Sequence, residues 1–315
     1  MKQTTNTVLM IRPVAFRMNE QTAVNNYYQK VLNGVLPATV NAKAQAEFDH
    51  FVEKLKAVGV QVIVVNDTVE PNTPDSIFPN NWISFHQTGD VVLYPMFAEN
   101  RRLERRDDIL DILEQHGFYI ENVTDYTLAE EANLFLEGTG SLVLDRQNSK
   151  AYCALSPRAE EELMIEFCED FEMNPVIFEA FQTVNGERKP IYHTNVMMCI
   201  AEKFAVICAD AIDDKKERKM VIDCLKSDGK EIVYITEEQV NHFAGNMLEV
   251  RGSEQKSYLV MSEAAHQCLT KAQINQIEKY TNILAVNIDT IEACGGGSAR
   301  CMLAEVFLPL AEDYK

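Results

Sequence analysis

The chain is short of positive charge, of paired cysteines and of long apolar runs, and each shortage removes a class of function. Only 29 Lys and Arg stand against 48 Asp and Glu, for a net charge of -19 and a pI near 4.7. Such a surface repels nucleic acid and anionic membranes at long range, so neither is expected as a partner. Eight cysteines, at 153, 168, 199, 208, 224, 268, 294 and 301, include no C-x-x-C pair and no His at zinc-ligand spacing. Neither a disulfide framework nor a metal site is signalled, no cofactor is called for, and most of these read as reduced core thiols. The opening Met1-Lys2-Gln3 runs into apolar Val8 to Met10, but Arg12 interrupts too early for a secretory segment, and no later stretch reaches membrane-spanning length. A soluble, cytoplasmic chain is the expectation. Low-complexity Pro, Gly or Ser tracts are also missing, and with 46% apolar residues over 315 positions the chain can bury a sizeable core.

What is present is a repeat. One amphipathic helix followed by one apolar strand recurs five times, at a period of about 55 residues. Helical stretches begin near Ala44, Leu103, Pro157, Asp213 and Thr270 and lead into VQVIVV at 60, FYIENV at 118, PVIFEA at 175, EIVYI at 231 and NILAVN at 282. In the first helix Phe48, Phe51, Val52 and Leu55 share one face, and the fifth opens on Thr270-Lys271-Ala272-Gln273, a capping-box pattern. After each strand come a polar loop and a pair of apolar runs: 82–86 with 91–95, 141–145 with 151–154, 195–200 with 204–208, and 246–250 with 257–261. The fifth pair has only its first member, Cys301 to Leu308. The N-terminal strand Val8 to Pro13 is expected to return and complete it, which would remove a sheet edge. The polar residues that open the five pairs are Asn81, Glu137, His193, Asn246 and Cys301. Thus a Cys, a His and a carboxylate fall on one phase of a repeat read from apolar residues alone.

The motifs PDSIFPNNW (74–82), NRRLERR (100–106), FLEGTGSLVLD (135–145), SPR (156–158), YHTNVM (192–197), AGNMLEV (244–250) and GGGSARCM (295–302) together resemble the pentein superfamily of guanidine-modifying enzymes. That superfamily includes arginine deiminases, dimethylarginine hydrolases, amidinotransferases and citrulline-utilisation hydrolases. The resemblance covers essentially the whole chain and implies one domain over 1–315, an α/β five-bladed propeller closed by the N-terminal strand. It implies Cys301 as nucleophile, beside the close backbone approach that Gly295 to Gly297 permit, and His193 as acid and base. Glu137 would orient His193 or pair with a substrate N–H. Relatives usually follow that Glu-Gly with Gly and Asp, whereas Thr139 and Gly140 stand here. Asp75 resembles the superfamily's substrate-contacting acid, although Pro-Asp-Ser is also plain turn chemistry. Arg101, Arg102 and Arg158 resemble the arginines that clamp an α-carboxylate; which of Arg101 and Arg102 faces inward is open. Asn246 is expected to order a loop at the ring centre, and Cys294 to be a buried bystander.

The departure that says most is at Asn80, Asn81 and Asn195, where relatives that bind a guanidinium usually carry acids. A buried cation without carboxylates is costly, whereas a neutral ureido group offers a carbonyl and N–H donors that amides match. The expectation is a small amino-acid substrate, citrulline first, with the YHTNVM motif resembling the citrulline-utilisation hydrolases. Amidinotransfer and arginine deimination are the enzymatic alternatives, and a non-catalytic binding protein of the same fold is the alternative of another kind. A homo-oligomer is left open.

Overall fold

A computed structural model describes residues 1–32, 34 and 36–314. The helical face read from the sequence is buried: within the helix Pro37–Ala57, Phe48, Phe51, Val52 and Leu55 all point into the core. This helix begins seven residues ahead of its expected start, at Pro37, whose fixed φ suits a first helical turn. The capping box at Thr270 also forms, with its side chain accepting from the Gln273 backbone and the Gln273 side chain accepting from the Thr270 backbone.

Each repeat builds a three-stranded sheet with one antiparallel and one parallel neighbour. Sheet one is Ile83–Phe85, Asp90–Leu93 and Asn122–Asp125. Sheet two is Leu142–Asp145, Lys150–Leu155 and Asn174–Glu179. Sheet three is Met198–Ile200, Phe204–Ile207 and Glu231–Tyr234. Sheet four is Leu248–Arg251, Ser257–Ser262 and Asn282–Val286. Sheet five takes its middle strand from the other end of the chain: Thr7–Arg12 pairs antiparallel with Ala304–Glu305, at Val8 with Glu305 and Leu9 with Ala304, and parallel with Gln61–Asn66. The N-terminal strand therefore completes the fifth pair, as expected. Two placements differ. The strand read at 118 begins only at Asn122, because Phe118 and Tyr119 are drawn to Leu310 and Pro309 instead. A sixth, two-stranded ribbon, Phe181–Val184 with Glu187–Pro190, lies outside the repeat.

The apolar side chains join neighbouring sheets. Leu9 and Ile63 pack with Ile83 and Val91, coupling sheets five and one. Val92 and Tyr94 pack with Leu142 and Ala151, coupling one and two. Tyr152, Met198, Val233 and Leu259 share a cluster across two, three and four, and Val8 packs with Val250 and Val260, coupling four and five. In four of the repeats a single helical turn stands just before the first strand, at Pro79–Asn81, Gly138–Ser141, Thr194–Met197 and Ala299–Met302. The turn at 79–81 touches those at 138–141 and 299–302, and the turn at 138–141 touches that at 194–197. Asn81 and Cys301 lie on these turns, and Glu137 and His193 immediately precede theirs. No helix of the described residues is long and apolar enough to cross a membrane.

Candidate active site

The turn Ala299–Met302 brings Cys301, 3% exposed, to the wall of a cleft whose other walls include Asp75, Phe78, Asn81, Arg101, Arg158, Tyr192, His193 and Gly295 to Gly297. The cleft is tight, with a volume of about 10 Å³, room for about one water, and it is partly open to solvent. Two glycines allow this approach of loops. Gly138 has φ +44°, and a Cβ there would stand 2.4 Å from the Asn80 carbonyl oxygen. At Gly296, φ +62°, a Cβ would meet the Asn26 amide at 2.6 Å. Both positions need the freedom that only glycine has.

His193 and Glu137 form a buried pair, with His193 Nε2 2.7 Å from Glu137 Oε2. An ionised carboxylate only accepts, so Nε2 carries the hydrogen and Nδ1 is the bare nitrogen. Glu137 also accepts from the Phe97 N–H at 3.0 Å and lies 3.4 Å from Arg158 Nη1. Burial pushes against ionisation of Glu137, but Arg158, His193 and Arg101 outweigh it and hold its carboxyl below the ordinary range. For His193 burial wins over Glu137 and lowers its pKa, which favours the neutral imidazole.

Both cleft arginines are already engaged. Arg101 makes a two-bond pair with Glu104 at 2.9 Å each, and its Nη1 donates to Asn81 Oδ1 at 2.8 Å. Arg158 donates to Asn25 Oδ1 and, at 3.0 Å, to the Thr22 carbonyl. It also lies over the Tyr192 ring, 4.9 Å from its centroid. Asp75 is buried, with Oδ2 accepting from Asn19 at 2.8 Å and Thr22 at 3.1 Å while Oδ1 has no partner. Burial is the main reason its pKa is raised.

Of the residues singled out in the sequence, Cys301, His193, Asp75, Asn81, Arg101 and Arg158 meet in the cleft, with Glu137 directly behind His193. Arg101, not Arg102, is the inward member of its pair. Arg102 turns to the Met96 carbonyl at 3.0 Å and Glu130, outside the cleft. Asn80, Asn195 and Asn246 do not line the wall: Asn80 donates to Thr139 at 3.3 Å, while Asn195 and Asn246 stand behind Cys301 with their amide nitrogens 3.6 and 3.2 Å from its sulfur. Thr22 and Asn26, on a strap over residues 19–30, are wall residues that the sequence reading passed over, as are Phe78 and Tyr192.

Comparison with known families gives the chain's family. A model of the family described as N,N dimethylarginine dimethylhydrolase, eukaryotic, matches residues 12–308. The chain belongs to that family. It is thereby a member of the pentein superfamily of guanidino-modifying enzymes, as the motifs led us to expect. Among solved structures the chain is similar to apo ArgZ, an arginine dihydrolase from cyanobacteria, with a TM-score of 0.73 and 15% identity over 98% of this chain. It spans 41% of that longer protein. The N-terminal domain of ArgZ bound to substrate matches with a TM-score of 0.67 and 15% identity, covering 96% of this chain and 99% of the domain. A dimethylarginine dimethylaminohydrolase variant in adduct with S-methyl-L-thiocitrulline matches with a TM-score of 0.62 and 13% identity, covering 95% and 98%. No curated protein matches the chain. At these identities the likenesses establish a shared mixed α/β fold.

Proposed function

We propose that this family member is a cysteine-dependent hydrolase of a ureido amino acid, citrulline first, built as one domain whose five sheets are the blades of a propeller. The observation that carries the substrate reading is the Asn81 amide. Its Oδ1 is held by Arg101, which fixes the orientation, and its Nδ2 is left buried without a partner. That nitrogen and His193 flank the same point beside Gly140, where a Cβ would lie 2.4 Å from Asn81 Nδ2 and 2.7 Å from His193 Nδ1. An N–H donor at that place suits a carbonyl oxygen and repels nothing in a neutral urea, whereas a guanidinium has no acceptor to offer it. The unpartnered Oδ1 of Asp75 can accept from a ureido N–H.

In the reaction the Cys301 thiol loses its proton to His193, and the sulfur adds to the ureido carbon while Asn81 donates to the oxygen that gains charge. The carbon–nitrogen bond to the leaving amine then breaks as His193, steadied by Glu137, returns its proton to that nitrogen. The S-carbamoyl group left on Cys301 is attacked by water that His193 deprotonates, which restores the thiol and releases carbamate. The α-carboxylate is received by Arg158, which lies 3.4 Å from Glu137 but makes its shorter bonds to Asn25 and the Thr22 carbonyl, both neutral and exchangeable, while Arg101 is committed to Glu104 through two bonds of 2.9 Å.

A second reading has support of its own: the family description names dimethylarginine, and the Asp75 carboxylate, which lines the cleft with one oxygen unpartnered, could pair with a cation. Pure protein incubated with citrulline, arginine and dimethylarginine, with ornithine, citrulline, ammonia and dimethylamine followed separately, decides between them. Ornithine and ammonia from citrulline are expected. Turnover of dimethylarginine alone would sink the ureido reading, and an absolute need for an acceptor amine would select amidino transfer.

A further inference from the structure

We infer that Asn195 and Asn246 act as a pair of amide donors that hold the negative charge of the Cys301 thiolate from the side opposite the cleft. The inference rests on Cys301 being the nucleophile and is independent of which substrate it attacks.

Both amides are oriented by the backbone. Asn246 Oδ1 accepts from the Arg300 N–H at 3.1 Å, and Nδ2 gives one hydrogen to the Asn195 carbonyl at 3.0 Å. Its second hydrogen faces Cys301 Sγ at 3.2 Å. Asn195 Nδ2 gives one hydrogen to the Thr139 carbonyl at 3.4 Å and has the other for Sγ at 3.6 Å. The corresponding oxygens stand farther off or no nearer, at 3.6 Å for Asn246 and 4.0 Å for Asn195. A primary amide has two hydrogens to donate, so the sulfur is the natural second acceptor for each. Both side chains are fully buried, which strengthens a hydrogen bond to a charged acceptor.

Among the described residues no cation does this work from behind. The Arg300 guanidinium beside Cys301 turns to the Leu303 carbonyl at 2.8 Å and to Glu305. On the cleft side the charged and titratable groups are Asp75, Arg101, Arg158, Tyr192 and His193, with Glu137 behind His193; the two arginines are paired and the imidazole is neutral. The amide pair is what remains.

The test is alkylation of Cys301 by iodoacetamide as a function of pH, read at that residue by mass spectrometry so that the other thiols do not interfere. Asn195→Leu removes one donor while keeping the branched heavy-atom skeleton, and Asn195→Asp replaces it with a like charge. The pH of half-maximal alkylation is expected to rise by about one unit in Asn195→Leu, and further in Asn195→Asp, with the limiting rate at high pH unchanged. Asn246→Leu should act in the same direction, but its amide also holds the Arg300 backbone, so Asn195 is the cleaner site. An unmoved midpoint in folded Asn195→Leu, even with turnover lost, would make the amides structural only and overturn the proposal. Wild-type protein that is folded yet never alkylated at Cys301 would overturn the nucleophile assignment on which it rests.

Discussion

The Asn81→Asp substitution separates a urea-binding cleft from a guanidinium-binding one. Asn81 is 2% exposed, Arg101 holds its Oδ1 at 2.8 Å, and Nδ2 has no partner. An aspartate in the same rotamer keeps the bond to Arg101 and turns its second oxygen to the place of Nδ2. For a ureido substrate this removes the donor to the oxygen that gains charge, and loss of one such donor costs on the order of 10²–10³ in rate. For a guanidinium it adds a charge-assisted partner worth roughly 1.5–3 kcal/mol, about tenfold to a hundredfold. The new carboxylate lies near Asp75 and shares Arg101 with Glu104, so its ionisation is opposed and the gain belongs at the lower end. The specificity ratio of arginine or dimethylarginine to citrulline should therefore rise by on the order of 10³. The assay is kcat/KM for each substrate in wild type and variant, after near-UV circular dichroism shows both folded. A ratio that stays within about threefold, or that moves toward citrulline, would refute the placement of the substrate oxygen beside Asn81.

Cys301→Ala should abolish turnover while Cys294→Ala, outside the cleft that His193 lines, keeps most of it; equal loss in two folded variants would contradict the assignment. Glu137→Gln should lower kcat by about 10²–10⁴ and destabilise the fold by about 3–5 kcal/mol, because Arg158 and His193 lose their shared buried carboxylate. Chemical denaturation and steady-state kinetics check the two halves of that expectation. Glu292, buried and bonded to Ser298 at 2.6 Å, has its carboxyl pushed up to about 7 by burial. Its folded form thus binds a proton that the unfolded chain has released above the ordinary carboxyl range. Stability is lost as pH rises from the ordinary carboxyl range to about 7 and is level above it, so Glu292→Gln should gain up to ~3 kcal/mol over wild type at pH 8 and little near pH 5, read as melting temperature against pH. A gain independent of pH would show that Glu292 is ionised throughout.

The repeat was legible because each blade-sized unit must bury one helix face and one strand, and both leave periodic marks. The unpartnered apolar run after Cys301 demanded a second strand, and Thr7–Arg12 supplies it in the expected antiparallel register. What failed to show were features decided by distant parts of the chain. Phe118, Tyr119 and Ile120 read as the start of a strand, yet Phe118 and Tyr119 are taken by residues 309 and 310, and pairing with Asp90–Leu93 begins at Asn122. The strap over 19–30 is rich in amides and has no apolar period, so nothing local marks it as a cleft wall; its bonds to Arg158, Asp75 and the Gly295 carbonyl exist only in the folded chain.

The amides show where a repeat phase stops being informative. Counting residues from one apolar run to the next put Asn81, Glu137, His193, Asn246 and Cys301 on one phase; in the structure Asn81, His193 and Cys301 line one cleft, Glu137 bonds His193 and Asn246 stands against Cys301. The count cannot say on which side of the sulfur each lies. Asn81 and Asn195 read alike, as neutral residues standing where relatives use acids, and one explanation seemed to serve for both. In the structure they are divided by Cys301. Asn81, tethered to Arg101, lines the cleft, while Asn195, tethered to the Thr139 carbonyl, stands behind the Cys301 sulfur. The same loss of negative charge then has two different effects: at Asn81 it exchanges an acceptor of cations for a donor to a carbonyl, and at Asn195 it exchanges a charge that would repel a thiolate for a donor that holds one. A change of substrate from guanidinium to urea needs both, because the neutral substrate neither requires the first carboxylate nor brings the positive charge that would make the second tolerable beside a thiolate.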